Sequence, residues 1–308
     1  MSDDRELESC CHFDEFARRN LIFKNSHPRA SGSAKVIALR EMTTNFEKIK
    51  SMLLAIDIGN TNIVFGVNEE GEWKNHWRIQ TDHLKTADEY EVIFRSLLNA
   101  GKICNAHINQ IILSSVVPSL VHPFTEMLSG LFPEANQTVV NPEIYKLLPV
   151  KVLNPYQIGA DLVANAVAAF QKYGQLTTII DFGTALTFTT IGKDAEIRGV
   201  AIAPGLNTAV SALAGKTAQL PEIHLVPPPS VLGENTIHAI QSGVVLGFTG
   251  LVDSIIERTQ EELNETLTVV ATGGLSPIIA PLTKHIKTIE PLLTLDGLYH
   301  INAFVNKK

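Results

Sequence analysis

Two stretches of the sequence share one pattern, which constrains the fold more than any other feature of the chain. Each has an apolar strand, an aspartate, a glycine, a threonine and a second apolar strand: LLAIDIGNTNIVFGV at 53–67 and TTIIDFGTALTFTTI at 177–191. The two aspartates, Asp57 and Asp181, are 124 residues apart. This spacing is the size of a whole domain, so the repeat predicts two related α/β halves.

Composition indicates a folded chain. The 308 residues are 45% hydrophobic and 19% charged, which excludes disorder for most of the chain. A formal net charge of −7 argues against a nucleic-acid partner bound by a broad basic surface. The sequence alone indicates no apolar run near the roughly 18 residues of a membrane span and no signal peptide. We therefore expect a soluble cytoplasmic protein with neither nucleic acid nor a membrane as partner.

The character of the sequence changes at Met52. Residues 1–51 mix charges without a sustained period, so we expect a poorly ordered N-terminal extension or a tail from an upstream start codon, with a docking arm as the alternative. From Met52 onward strands and helices alternate, and their order recurs after Pro155. Thr86 with Glu89 three residues later predicts a capping box at the start of one helix, and a long helix is predicted from about Thr236 to Leu263. The pattern predicts one domain over 52–152 and a second over 153–308.

The first glycine turn, Asp57-Ile-Gly-Asn-Thr-Asn62, has the chemistry of a phosphate site. Glycine lets backbone N–H groups approach an anion closely, and Asp57 can hold Mg²⁺ directly or through water. A plain hairpin turn uses the same residue types, so this motif alone leaves both interpretations open. It is neither a Walker A loop nor a dinucleotide fingerprint.

Two further glycine turns favour a nucleotide site. In Asp181-Phe-Gly-Thr184 the aspartate and the threonine hydroxyl are predicted to face the first turn across a cleft. Ala271-Thr-Gly-Gly-Leu275 follows a third apolar strand, and its glycines would let a base or ribose lie against the backbone. Three such turns indicate a common cleft rather than three unrelated turns.

Asp161 is the candidate general base. It opens an apolar helix within Gly159-Ala-Asp161, where an aspartate also simply favours the helix macrodipole. In phosphoryl transfer, a carboxylate that orients a hydroxyl and accepts its proton is sufficient. We expect the helix N-terminus to keep Asp161 ionised at neutral pH.

Taken together, these residues resemble the type III pantothenate kinases of the acetate and sugar kinase/Hsp70/actin superfamily. The similarity runs through residues 52–308 in motif order, and residues 1–51 have no counterpart. Besides the motifs above, it rests on Thr86-Ala-Asp-Glu-Tyr90, Ser114-Ser-Val-Val-Pro118, Asn154-Pro155, Ala203-Pro-Gly205, Thr217-Ala-Gln-Leu-Pro221, Gln241-Ser-Gly243 and Leu293-Thr-Leu-Asp-Gly-Leu298.

The resemblance implies the fold, the reaction and the site residues. The fold would be α/β, with duplicated ribonuclease H-like domains of the actin and sugar-kinase type and mixed sheets around a central nucleotide cleft. The reaction would be ATP-dependent phosphorylation of pantothenate, the first step toward coenzyme A, with Mg²⁺ and a monovalent cation, K⁺ or NH₄⁺. A homodimer with its site near the interface is also implied.

The resemblance also assigns individual roles. Asp161 would accept the proton and Asp181 would bind the monovalent cation. ATP would contact Asp57, Ile58, Gly59, Asn60, Thr61, Asn62, Ile63, Val64 and Thr184. Pantothenate would contact Val152, Gly159, Ala160, Asp161, Leu162 and, across the dimer interface, Thr217.

Two positions depart from the family pattern. The family has Arg where this chain has Leu162, and Tyr where it has Val152. Loss of a guanidinium can remove a contact of about 1.5–3 kcal/mol, and Tyr156 or a basic residue could compensate. These departures leave two alternatives to an active pantothenate kinase: a nucleotide-binding regulatory or accessory protein with weak or no kinase activity, and a kinase for another small hydroxyl compound.

Overall fold

A computed structural model describes residues 51–307, so the predicted extension lies, apart from Ser51, outside the described residues. The strands are β1 (Met52–Ile58), β2 (Asn62–Glu69), β3 (Glu72–Gln80), β4 (Ile108–Ser115), β5 (Asn136–Val139), β6 (Thr177–Phe182), β7 (Ala185–Ile191), β8 (Ile197–Pro204), β9 (Thr268–Thr272) and β10 (Thr288–Ile289). The helices are α1 (Ala87–Ala100), α2 (Pro118–Leu131), α3 (Ala160–Tyr173), α4 (Leu206–Lys216), α5 (Thr236–Gln241), α6 (Gly247–Leu263), α7 (Ser276–Ile279) and α8 (Leu293–Val305).

The two sheets have the same topology, which confirms the predicted duplication. The first has the order β3-β2-β1-β4-β5 and the second the order β8-β7-β6-β9-β10. In each sheet the central strand pairs antiparallel with the next strand in sequence and parallel with a strand that follows a helical crossover. The sheets are mixed, as expected for this fold class.

Helices α1 and α2 cover one face of the first sheet. The predicted capping box is present: Thr86 accepts from the backbone of Glu89, whose side chain bonds back to the Thr86 N–H. The buried α1 side chains are Tyr90, Phe94 and Leu98, and the ring centroids of Phe65 and Phe94 are 4.1 Å apart. This aromatic cluster anchors α1 to the hairpin that carries the first glycine turn.

Helices α3 and α8 lie in the layer between the sheets. One buried cluster joins side chains of the first sheet, such as Leu53 and Ala55, to Ile179 and Val270 of the second. The contact between the two helices is very close, because a Cβ on Gly297 would overlap the backbone oxygen of Ala164. Both helices follow residue 153 yet pack on the first sheet, so the division at 152/153 stays a prediction.

The sequence interpretation missed some elements. It gave no helix for α4, whose N-cap Gly205 makes no side-chain capping bond. It predicted one regular helix over 236–263, whereas a π-helical segment, Ser242–Leu246, separates α5 from α6. Gly243 inside this segment and Gly247 directly after it weaken the regular α-helical register there.

The expectation that no stretch is long and apolar enough for a membrane was wrong. The continuous helix Thr236–Leu263 meets that length and composition, with a mean hydropathy of 1.5 in its most apolar window, 44% of which is buried. Its inward side chains, among them Val252 and Ile256, belong to the core on the outer face of the second sheet. Length and composition alone do not distinguish a core helix from a spanning one.

The α3–α8 contact gives a prediction for stability. Gly297→Val forces a branched side chain against the Ala164 backbone, and we expect it to lower the free energy of unfolding by about 1–3 kcal/mol or more. Urea unfolding followed by circular dichroism measures this change. The matched control is Gly250→Ala in α6, where nothing lies within 4 Å of the added Cβ. The control should change stability by less than about 1 kcal/mol, and equal effects of the two variants would contradict the close helix contact.

Candidate active site

The first glycine turn is held by the end of the neighbouring strand. The Gly59 N–H donates to the Asn62 carbonyl at 3.0 Å, and a Cβ on Gly59 would lie 3.0 Å from the same oxygen. The Thr81 hydroxyl, just beyond β3, donates to the Gly59 carbonyl at 2.7 Å, and the Thr81 N–H donates to the Thr61 carbonyl at 2.9 Å. Asn60 and Thr61 are left exposed at the tip. Sequence reasoning missed Thr81, whose only signal is its place after a strand.

The second glycine turn faces the first, as predicted. The Oγ1 atoms of Thr61 and Thr184 are 2.7 Å apart, which is hydrogen-bond distance. The Thr184 carbonyl accepts from the Gly205 N–H at 3.0 Å and from the Thr208 hydroxyl at 2.7 Å. The start of α4 therefore fixes the second turn, and Thr208 is a further residue that the sequence did not reveal.

The third glycine turn packs on the second. Gly273 has φ +86°, in the left-handed region that favours glycine, and a Cβ there would lie 2.7 Å from Asp181 Oδ1 and 2.6 Å from the Phe182 carbonyl. All three turns thus meet at the carboxyl ends of β1, β6 and β9. The contact of a base or ribose with this turn stays a prediction.

Asp57 and Asp181 lie where these strands end, and both have raised pKa values. Burial, followed by the negative charge of Asp161, raises the pKa of Asp57 to about 7. The same two causes raise the pKa of Asp181 to about 6. Asp57 Oδ1 is buried without a hydrogen-bond partner among the described residues, while the opposing Ser114 hydroxyl partly offsets the rise in the Asp57 pKa. These two carboxylates therefore form an anionic cluster with Asp161.

Helix α3 supplies the third carboxylate and supports the second. The Asp161 side chain folds back over Gly159, and a Cβ on Gly159 would overlap Asp161 Oδ1. The same oxygen accepts a hydrogen bond from the Leu162 N–H at 2.8 Å. One turn later the Asn165 amide donates to Asp181 Oδ2 at 3.2 Å, while Thr294 of α8 donates to Asn165 Oδ1 at 2.8 Å. Asn165 is another residue that sequence reasoning missed.

Two opposing causes act on the pKa of Asp161, and its ionisation at neutral pH stays a prediction. We expect a helix N-terminus to favour the carboxylate, and the N–H groups of Leu162 and Asp161 do lower its pKa. Burial is the larger cause and acts in the opposite direction, so the pKa of Asp161 is raised above its usual value. A raised pKa suits a carboxylate that must accept a proton.

The remaining residues of the predicted ATP site differ in exposure. Ile58 and Ile63 are fully buried in the core beneath α1 and pair with each other across β1 and β2, so their contact with ATP stays a prediction. Asn62 and Val64 are partly buried on β2, and Val64 pairs with Asp57 across the strands.

The predicted pantothenate residues are only partly brought together. Ala160 and Leu162 are buried beside Asp161, and Val152 packs on the core around α3. Thr217 is exposed at the end of α4, and its hydroxyl bonds locally to the Leu213 carbonyl. Its role across a dimer interface stays a prediction.

A tyrosine other than the expected one lies near the candidate base. Tyr156 is 81% exposed and donates to Glu143 at 3.0 Å, and its compensation for Val152 stays a prediction. Tyr145 is buried, and burial together with the charge of Asp161 raises its pKa to about 12. No motif in the sequence singles out Tyr145.

The residues fit a Mg²⁺ ion that is shared with a phosphate ligand. Residues 51–307 contain no group of three or more His, Cys, Asp or Glu side chains arranged to hold a metal alone. Mg²⁺ is commonly bound by one or two carboxylates together with water and substrate phosphates. The unpartnered Oδ1 of Asp57 is such a carboxylate oxygen.

The sequence matches a known family over most of its length. The family model described as type III pantothenate kinase matches residues 53–258. The type III pantothenate kinase of Moorella thermoacetica is 43% identical over 247 residues, which cover 80% of this chain and 97% of that protein. The enzyme of the same name from Roseiflexus sp. is 44% identical over 247 residues, covering 80% and 96% of the two chains.

Solved structures agree with the fold. A candidate 2-dehydro-3-deoxygalactonokinase from Sinorhizobium meliloti has a TM-score of 0.53 at 12% identity, covering 83% of this chain and 97% of that chain. The Lmo2764 protein of Listeria monocytogenes, a candidate N-acetylmannosamine kinase, has a TM-score of 0.52 at 13% identity, with 83% and 100% covered. At these identities the likeness concerns the fold alone, and it confirms the predicted actin and sugar-kinase class.

The anionic cluster predicts how stability depends on pH. The unfolded chain releases the Asp57 proton near pH 3.8, whereas the folded protein keeps it up to about pH 7. The folded state therefore binds more protons between these values, and the free energy of unfolding falls as pH rises through this window. In EDTA without nucleotide, we expect the free energy of unfolding to fall by about 1–3 kcal/mol from pH 5 to pH 7.

Asp57→Asn should reduce this decline, because the variant removes a titrating group whose pKa is raised by burial. Glu134→Gln, at an exposed position after α2, is the control and should leave the pH dependence unchanged. Urea unfolding at several pH values gives the comparison. A decline of the same size in Asp57→Asn would show that burial of Asp57 does not cause it.

Proposed function

The chain belongs to the type III pantothenate kinases, and we propose that the three glycine turns bind the phosphates of ATP while Asp161 accepts the proton of pantothenate. The family phosphorylates pantothenate in the biosynthesis of coenzyme A, and this chain is an ATP-using pantothenate kinase. The observation that carries the proposal is the contact of Thr61 with Thr184, which brings the first two turns to one cleft beside Asp57 and Asp181.

The ATP site is proposed at the tips of the first two turns. Asn60, Thr61 and Thr184 are exposed and present hydroxyl and amide groups, together with backbone N–H groups, to the cleft. Thr81 and Thr208 hold the two turns from behind, so little reorganisation is needed when phosphate binds. Such fixed donors are suited to a phosphoryl group.

Asp161 is proposed as the general base of an in-line transfer. The hydroxyl oxygen of pantothenate forms a bond to the γ-phosphorus as the bond from that phosphorus to the β–γ bridging oxygen breaks. ADP leaves with the electron pair, the hydroxyl proton passes to the Asp161 carboxylate, and the products are 4′-phosphopantothenate and ADP. Gly159 and the Leu162 N–H orient the carboxylate for this step.

Asp57 and Asp181 are proposed to hold the cations. Mg²⁺, when bound at Asp57, neutralises charge on the β- and γ-phosphates. The monovalent cation, K⁺ or NH₄⁺, would lie at Asp181, whose carboxylate Asn165 and the third glycine turn keep in place. A cation near either carboxylate favours its ionised form and so offsets the raised pKa values.

Pantothenate is proposed to lie beside the start of α3, at Gly159, Ala160 and Asp161. Leu162 and Val152 offer apolar surface where the family has charged and phenolic groups, and the buried Tyr145 could supply a hydroxyl near the base. We further propose that the protein is cytoplasmic and forms a homodimer in which Thr217 reaches the active site of the partner subunit. The two domains are proposed to comprise residues 52–152 and 153–308.

An accessory protein without kinase activity is not favoured, because the chain matches the kinase family. It also has all three aspartates of the proposed site, Asp57, Asp161 and Asp181. A coupled assay of ADP release with ATP, Mg²⁺ and K⁺ tests the proposal against a kinase for another alcohol. We expect turnover with pantothenate. Tight ATP binding without turnover would contradict the proposed kinase activity. Turnover only with other alcohols would contradict pantothenate as the substrate.

The proposed base gives a direct prediction. Asp161→Asn keeps the shape of the side chain but cannot accept the proton, so we expect kcat to fall by about 10²–10⁴-fold with ATP binding retained. Steady-state kinetics and calorimetric nucleotide titration measure both quantities. Asp88→Asn, at the exposed first turn of α1, is the matched control and should leave kcat unchanged. Unchanged kcat in Asp161→Asn would remove Asp161 as the base.

The proposed cation site gives a second prediction. Wild-type activity should be higher in K⁺ or NH₄⁺ than in Na⁺, and Asp181→Asn should lose this difference because the neutral amide binds the cation weakly. Rates in the three chloride salts at equal ionic strength provide the measurement. Asp194→Asn, an exposed position in the β7–β8 turn, should keep the preference. If Asp181→Asn kept the full preference for K⁺ or NH₄⁺ over Na⁺, the monovalent cation would not bind at Asp181.

A further inference from the structure

Arg78 on the edge strand β3 lies on the cleft face of the first sheet. Asp57 of β1 pairs with Val64 of β2, and Val64 pairs with Arg78. Side chains of directly paired residues project from the same face of a sheet. Arg78 therefore projects from the face that carries Asp57.

The Arg78 side chain reaches the second half of the protein. Its Nη1 lies 3.1 Å from the place that a Cβ on Gly274 would occupy, so the guanidinium rests on the third glycine turn. Its positive charge also lowers the pKa of Asp181, which packs against the same turn. Arg78 thus spans the cleft between the two sheets, next to the anionic cluster.

Two other arginines of the described region, Arg95 and Arg198, form ion pairs. Arg95 pairs with Glu91 at 2.7 Å, and Arg198 pairs with Asp194 at 2.9 Å. Arg78 is exposed and forms no ion pair within 4.0 Å among residues 51–307. Its guanidinium donors are therefore available to a ligand in the cleft.

A nucleoside triphosphate requires such a cation at this place. Asp57, Asp161 and Asp181 already make the cleft anionic, and ATP adds further negative charge. A guanidinium presents a planar fork of donors that binds phosphate oxygens in a bidentate manner, and it stays charged when carboxylates nearby titrate. Negative charge on the transferred phosphoryl group is stabilised by cationic side chains of this kind.

We propose that Arg78 binds the terminal phosphate of ATP and thereby stabilises the transferred phosphoryl group from the side of β3. This inference rests on the proposed placement of the phosphates at the three glycine turns. Arg78 acts on the phosphate, so its loss affects ATP more than ADP and leaves pantothenate binding unchanged.

The test compares wild-type protein with Arg78→Ala, Arg78→Lys and the control Arg95→Ala, an exposed arginine on α1. Steady-state kinetics should show that kcat/KM for ATP falls on the order of 10²-fold in Arg78→Ala, with KM for pantothenate changed by less than about twofold. Arg78→Lys should recover only part of the loss, because its ammonium lacks the fork. Millimolar guanidinium chloride should partly restore Arg78→Ala, which a purely structural role would not allow.

Calorimetric titration separates this inference from the proposed function. A non-hydrolysable ATP analogue should bind Arg78→Ala at least about tenfold more weakly than wild type, whereas ADP affinity should change by less than about twofold, as expected for the loss of one charge-assisted contact. Equal weakening of both nucleotides, or kcat/KM for ATP within threefold of wild type, would overturn the proposal. If wild-type protein fails to phosphorylate pantothenate, the proposed function fails, while this titration still decides the role of Arg78.

Discussion

Repulsion among three carboxylates in one cleft is the constraint on which the site depends. Asp57, Asp161 and Asp181 are each partly buried, and the charge of Asp161 adds to burial in raising the pKa of the other two. Without bound cations such a cluster destabilises the folded state near neutral pH. The proposed cations, Mg²⁺ at Asp57 and a monovalent cation at Asp181, would relieve this repulsion and so let a protein of net charge −7 bind an anionic nucleotide.

The α3–α8 pair keeps this cluster in place despite the repulsion. Residues four apart lie on one side of a helix, so α3 presents Asp161 and Asn165 together to the cleft. The close approach at Gly297 fixes α3 against α8, and Thr294 of α8 orients the Asn165 amide toward Asp181. A buried apolar layer that contacts both sheets thus sets the positions of the charged groups.

Much of this arrangement follows from the sequence. The apolar strands, the capping box at Thr86 and the repeated Asp-x-Gly turns predict both sheets and the facing of Thr61 and Thr184, because strand ends and glycine turns are determined locally. Thr81 and Asn165 could not be predicted, since each acts through a partner distant in the chain. Helix α4 was missed because Gly205 gives no side-chain cap, and the raised pKa of Asp161 follows from tertiary burial, which no local pattern shows.

We propose that the glycine turns and Asp161 hold ATP and pantothenate for direct transfer. A crystal structure with a non-hydrolysable ATP analogue, Mg²⁺ and pantothenate would test this placement. We expect the terminal phosphate between the turns at Thr61 and Thr184, and the pantothenate hydroxyl about 2.6–3.2 Å from the Asp161 carboxylate, in line with the γ-phosphorus. A phosphate bound away from these turns, or a hydroxyl out of reach of Asp161, would contradict it.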